Sequence, residues 1–319
     1  MRKKLTYVTD QNILKHRVTE FNQSVSLEQM DELTQHSYAH NSLLALKNDW
    51  NLFVNYCQSK SVMALPASVT ATRLFLESEA KVRKYSSIRR YSVTISLIHR
   101  LLSLKDPTTN PQVRQTLMTL RINKKGDEEQ ATSFTSIHLE QLYAKYSTSK
   151  SVKDIRDLAI YHVMFECALK RSELKSLTFS QIGTNDKYLV LSFGESQYQL
   201  SQNATNCLTK WLRIVTRDSK YVFRSIDKHG NIATSILNDS SIFRILRSAG
   251  TLLGKPELKF SGQSARVGAV QELSEQGYKI KEIQEFGRWL SPAMPYQYVG
   301  NKGTAEQEKL KFFSFKPWE

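Results

Sequence analysis

The run from Asn123 to Thr132 interrupts the apolar pattern of this 319-residue chain: it is almost devoid of apolar side chains, carries Gly126 and clusters both signs of charge. Such a run has nothing to bury and reads as a flexible linker. The chain is therefore expected to fold as two domains of ordinary size. A hydrophobic content of 40%, a quarter of it aromatic, is enough to build a core in each.

Ahead of the linker the apolar residues recur at helical spacing. Leu43, Leu46, Trp50, Phe53, Val54 and Cys57 line one face over 42–57. Pro66 opens a second helix through Phe75, and Tyr85-Ser86-Ser87 precedes a third, basic helix that turns Tyr91, Ile95, Ile98, Leu101 and Leu102 inward. Pro107 and Pro111 bracket a turn before a fourth helix over 112–122. Residues up to 125 thus read as all helical. Beyond the linker, helices are predicted to start at Ser136 and to run over 154–169, 204–216, 240–250, 264–276 and 280–286. Tyr188–Phe193 and Ser196–Leu200, separated by Gly194-Glu195, read as a β-hairpin. The fold class is mainly α with one small antiparallel sheet.

Lys and Arg total 45 against 30 Asp and Glu, a formal charge of +15, which points to a polyanionic partner. The excess is concentrated: Lys81, Arg83, Lys84, Arg89, Arg90, Arg100, Lys105, Arg114, Arg121, Lys124 and Lys125 face a single acidic residue, Asp106, within 81–125. A solvated helical face ordinarily mixes signs, whereas a one-signed block neutralises phosphates and releases counterions. Cys57, Cys167 and Cys207 are odd in number, far apart and set among apolar neighbours, so neither a disulfide framework nor a zinc site is indicated. Nowhere do 18 apolar residues run together. A cytoplasmic protein with no cofactor and no membrane partner is expected.

Ser261-Gly262-Gln263-Ser264-Ala265-Arg266-Val267-Gly268-Ala269 is followed by Trp289 and, nine residues later, Tyr298. This arrangement resembles the signature of the tyrosine recombinases, most of all the Cre-type enzymes, with glutamine in place of the signature histidine. The resemblance spans nearly the whole chain. It implies a two-domain Cre-like tyrosine recombinase fold: an N-terminal extension (1–24), a helical, SAM-like core-binding domain (25–122), the linker (123–132), and a catalytic-type domain (133–319) ending in a tail helix (304–315).

In that family a tyrosine attacks a DNA phosphodiester, arginines stabilise the phosphate oxygens and an acid protonates the leaving oxygen. The resemblance makes Tyr298 the nucleophile, with Tyr296 as packing, and makes Arg266 the second phosphate-binding arginine. Trp289 becomes the indole donor behind the phosphate, and Glu173 the buttressing carboxylate. Other positions depart from the pattern. Leu169-Lys170-Arg171-Ser172-Glu173-Leu174 puts Lys170 where the first arginine stands and Arg171 one residue late, and a lysine lacks the bidentate fork. If this stretch is helical, one residue is a rotation of about 100°, which keeps Arg171 from taking over. The hairpin turn offers Glu195 and Ser196 in place of a catalytic lysine, and Lys187 lies a strand away. Gln263 can donate a hydrogen bond but does not titrate near neutrality.

The expectation is a sequence-specific double-stranded DNA-binding protein that clamps an inverted-repeat site, with strand exchange lost or strongly impaired. The alternative is a working recombinase that cleaves through Tyr298. A basic scaffold for RNA or protein lacks any supporting motif. Lys81, Arg83, Lys84, Arg89, Arg90, Arg100, Arg121, Lys124, Lys125 and Arg171 are the candidate DNA-binding cations. The tail, with Leu310, Phe312, Phe313 and Phe315, is the candidate route to dimers or tetramers on DNA, as in the Cre-type enzymes.

Overall fold

The computed structural model describes residues 5–127 and 129–314, the side chains of 312–314 excepted; Phe312, Phe313 and Phe315 of the expected tail therefore lie outside the described side chains. The chain divides into two compact units, Met1–Glu129 and Gln130–Glu319.

The first unit is built from helices α1 (Gln11–Phe21), α2 (Leu27–Leu33), α3 (His40–Ser59), α4 (Val69–Ala80), α5 (Tyr85–Leu101) and α6 (Pro111–Asn123). Local sequence starts several of them: Ser26 and Gln29 form a capping box at α2, Ser68 caps α4, and Asn110 caps α6 with Pro111 at its first position. Trp50 and Phe53 on α3, Phe75 on α4, and Ile88 and Ile98 on α5 are fully buried. Phe53 and Phe75 meet edge-on with centroids 5.1 Å apart, a favoured aromatic geometry. Residues up to 24, expected as an extension, carry α1, whose Phe21 is fully buried in the same core and accepts the Trp50 indole N–H at 3.1 Å.

The second unit contains α7 (Ser136–Tyr146), α8 (Val152–Glu166), α9 (Arg171–Ser176), strands β1 (Ile182–Asn185), β2 (Tyr188–Phe193) and β3 (Ser196–Gln199), then α10 (Gln202–Ile214), β4 (Arg224–Ile226), β5 (Ile232–Ile236) and helices α11 (Asp239–Leu252), α12 (Ser264–Glu275), α13 (Ile280–Phe286), α14 (Ala293–Tyr298) and α15 (Lys302–Ser314). α8 is its axis. It is buried on every side from Arg156 to Met164: the apolar residues from Leu158 onward account for most of this, and Arg156 and Asp157 are buried as an ion pair at 2.6 Å. The predicted hairpin pairs Phe193 with Ser196 across Gly194-Glu195, with Gly194 at φ 61 in the left-handed conformation this tight turn requires. An unpredicted strand, β1, extends the sheet on the other side of β2, and β4 and β5 form a second small hairpin.

Two residues of the expected linker make hydrogen bonds, one within each unit. In the first, the Asp127 carboxylate accepts the free backbone N–H of Tyr85 at the start of α5, at 2.7 Å. In the second, Gln130 donates to the Tyr298 carbonyl at 3.1 Å. No helix among the described residues is long and apolar enough to cross a membrane.

Candidate functional site

The site begins where α8 stops. Cys167 caps the helix and Ala168 sits at φ 44, a left-handed conformation for a residue with a side chain. This turn ends α8 three residues before the predicted Leu169 and directs the Ala168 carbonyl toward α12. Lys170 follows in extended backbone at the N-cap of α9 (φ −74, ψ 152), and Arg171 is the first helical residue. Residues 170 and 171 are therefore not successive positions of one helix, and the rotation of about 100° expected between them does not apply. The aliphatic part of Arg171 lies on the backbone of Gly262, where a Cβ would overlap it. Lys170 is half exposed, with its amine 3.5 Å from a Glu173 oxygen.

Arg266 projects from the first turn of α12 and is buried. One of its terminal nitrogens donates to the Ala168 carbonyl and the other to the Gly287 carbonyl, the latter at 2.9 Å. Its guanidinium carbon lies 4.0 Å from the centroid of the Trp289 ring, a close cation–π contact. Trp289 in turn meets Tyr298 edge-on with centroids 5.9 Å apart. The motif's glycine at 268 has a packing reason, since a Cβ there would overlap the Phe134 carbonyl. Arg266, Trp289 and Tyr298, distant in sequence, are thus one cluster. Tyr298 is only 4% exposed, whereas Tyr296, two residues earlier on α14, is half-buried.

Electrostatics follow from burial. Desolvation holds the Arg266 guanidinium below its ordinary value, with Tyr298 and Glu173 acting in the opposite direction. Burial pushes the Tyr298 phenol above its ordinary value against the pull of Arg266, so the hydroxyl stays protonated at neutral pH. Gln263, at the N-cap of α12, is exposed. Glu195 is exposed on the hairpin turn, and Lys187 stands at the far end of β2, a strand length of roughly 20 Å away, with its amine 5.3 Å from its neighbour's Tyr188 ring.

Arg288 is the participant that sequence reasoning missed. It sits at φ 55 between Gly287 and Trp289, and binds both oxygens of Glu173, Nε at 3.2 Å and Nη2 at 2.9 Å. It also donates to the Tyr198 hydroxyl and to the Cys167 carbonyl, the latter at 3.1 Å. Burial works against the charge of Glu173, but the bonds from Arg288 and from the Lys170 backbone hold its carboxyl below the ordinary value.

The basic residues of the first unit divide into two groups. Arg89 and Arg100 are exposed and eleven residues apart on α5, close to three full turns, which puts them on one face roughly 16 Å apart along the axis. Lys81 and Lys125 are exposed, Lys124 is half-buried, and Arg121 stands on the exposed side of α6. Arg83 lies 3.7 Å from Glu79 and Lys84 3.4 Å from Glu129. Arg90, by contrast, is committed to a structural pair: Nε and Nη2 each reach the buried Asp49 carboxylate at 2.8 Å.

Comparison with known proteins gives the family and the fold. The chain is 25% identical over 288 residues to the recombinase Cre of Escherichia phage P1, covering 81% of this chain and 82% of that one. It is 26% identical over 305 residues to an integrase/recombinase XerD homolog of Selenomonas ruminantium, covering 90% and 89%. Among solved structures, the XerH site-specific recombinase bound to palindromic difH substrate shares the fold with a TM-score of 0.60 at 11% identity, covering 98% of this chain and 92% of that one. The description "Phage integrase family" matches residues 132–303, more than half of the chain, and with the recombinase relatives this assigns the protein to the phage integrase family, with the tyrosine recombinase fold.

Proposed function

We propose that the chain is a sequence-specific duplex-DNA-binding protein whose strand-exchange chemistry is lost or strongly impaired, so that its role is regulatory or architectural. The observation that carries this reading is the composition of the one cluster: groups suited to gripping a phosphate are assembled, while groups suited to moving protons are missing from the family positions. Arg266 and Trp289 stand together beside Tyr298, with Glu173 paired nearby. The hairpin turn presents a carboxylate where a leaving oxygen needs an acid, and Gln263 cannot take a proton from a phenol that burial keeps neutral. Loss of a general acid alone costs about 10²- to 10⁴-fold in rate.

Exposed Arg89 and Arg100 on one face of α5, with Lys81 and Lys125, suit contacts to successive phosphates. The fold's likeness to a recombinase bound to a palindromic substrate supports an inverted-repeat target, read by two or more copies of the chain. The tail, α15, packs on α14 of its own unit, with Ala305 buried and Lys309 donating to Gln297 at 2.7 Å. Assembly through this helix would require it to exchange between copies.

A second reading, an active recombinase that forms a 3′-phosphotyrosine at Tyr298, is favoured by one observation: Arg171 lies along Gly262, beside Gln263, and could supply the guanidinium that Lys170 does not.

Selection of bound duplexes from a fragment library, followed by footprinting, tests the binding reading. A discrete protected inverted repeat with steep salt dependence is expected. Uniform, sequence-independent protection would contradict it.

A further inference from the structure

Glu173 has two cations within reach, and it is Arg288 that takes both of its oxygens. Resting on the phosphate-binding reading above, we propose that Arg288 is a positioning residue of the site: by occupying Glu173 it keeps that carboxylate from capturing Arg266, leaving Arg266 available to a DNA phosphate.

The geometry is specific. Arg288 and Arg266 approach the same acceptor, the Ala168 carbonyl, with Arg288 Nη2 at 3.5 Å. Glu173 is bound edge-on by the Arg288 fork, whereas the terminal nitrogens of Arg266 go to the Ala168 and Gly287 carbonyls. Lys170 is a poor substitute, since its amine is half exposed at 3.5 Å and well hydrated. The guanidinium of Arg288 also packs against two aromatic rings of the hairpin, 4.9 Å from the centroid of Tyr198 and 5.3 Å from that of Phe193, which ties the hairpin to the site. The backbone accepts a glycine-favouring conformation at 288 to bring the side chain there.

If Arg288 is removed, a half-buried carboxylate loses its bidentate partner, with Lys170 3.5 Å from one of its oxygens and Arg266 drawn to its charge. Removing Glu173 as well removes the competitor. The experiment is duplex binding by the full chain across a salt series, using a duplex recovered by the selection above, for R288M, E173Q, the double variant, R288K and R266A, with thermal unfolding of each.

R288M is expected to bind about 10- to 100-fold more weakly, with the slope of log K against log salt reduced by about one. The double variant is expected to recover both to near wild type, and R288K, which keeps the charge but loses the fork, to bind more weakly than wild type and more tightly than R288M. A double variant that is folded yet as weak as R288M overturns the proposal, because Arg288 would then act on the phosphate directly. Should R288M fail to fold at the assay temperature, the double variant decides: near-wild-type binding supports the role, and binding as weak as R266A refutes it. R288M indistinguishable from wild type overturns this inference alone, whereas a wild-type chain that selects no duplex overturns the DNA-binding reading beneath it as well.

Discussion

The guanidinium carbon of Arg266 stands 4.0 Å from the centre of the Trp289 ring, and the backbone of Gly287 lies against the same ring, so the indole is held between a cation and a residue without a side chain. A Cβ at 287 would overlap the ring, and the backbone there has no freedom to retreat because its carbonyl accepts from Arg266 at 2.9 Å. Gly287→Ala should therefore displace Trp289, destabilise the second unit by about 1–3 kcal/mol and weaken duplex binding in the same variant. Chemical denaturation and binding isotherms check this. A variant with wild-type stability would mean that the ring is not confined as described.

Glu173 gives a pH signature. Its carboxyl is held below its ordinary value in the folded chain, chiefly by Arg288 acting against burial, so the unfolded chain binds the proton more readily. The resulting stabilisation is present in full above the ordinary glutamate value of about 4.3 and is lost as pH falls through the folded value. Wild type should exceed Glu173→Gln in stability by about 1–2 kcal/mol near pH 7, and the difference should close on acidification. Denaturation curves at stepped pH measure it, and a difference that stays constant down to pH 3 would contradict the assignment.

Arg89 and Arg90 are neighbours with different fates. Arg90 neutralises Asp49, which is 3% exposed and also accepts from Thr94 at 3.3 Å, whereas Arg89 faces solvent. Arg90→Ala should destabilise the first unit by about 2 kcal/mol, by stranding a buried carboxylate. Arg89→Ala should leave stability within about 0.5 kcal/mol and reduce the salt slope of duplex binding by about one. Thermal unfolding together with salt-dependent binding separates the two, and equal effects on stability would refute the distinction.

Much of the fold was legible because it rests on periodicity. The inward faces of α3 and α5 follow from residues three and four apart, the hairpin β2–β3 from alternation around Gly194, and α13 occupies the predicted span of Ile280–Phe286. α1, α2, β1 and the β4–β5 pair are short or weakly apolar and gave no comparable signal. Within the site, Arg266, Trp289 and Tyr298 were singled out by the resemblance of their motifs to the family signature, and the three side chains lie together. Arg288 could not. A single arginine before a tryptophan has no pattern, and its place depends on a left-handed backbone and on a carboxylate 115 residues away. The same holds for Arg90, whose partner Asp49 lies 41 residues earlier, and for the end of α8, where Ala168 turns the chain before the apolar run gives out.

The central claim is that this site grips a phosphate but scarcely cleaves beside it, and covalent trapping tests that claim most directly. The full chain is incubated with a series of its selected duplexes in which a nick is moved stepwise across the site, so that any 3′-phosphotyrosine formed beside the nick cannot be resealed, and the products are separated under denaturing conditions. Retained binding with no covalent species, or with one that accumulates orders of magnitude more slowly than with an active recombinase on its own nicked site, is the predicted result. Rapid accumulation of an adduct that disappears in Tyr298→Phe would contradict it and establish the chain as a working recombinase.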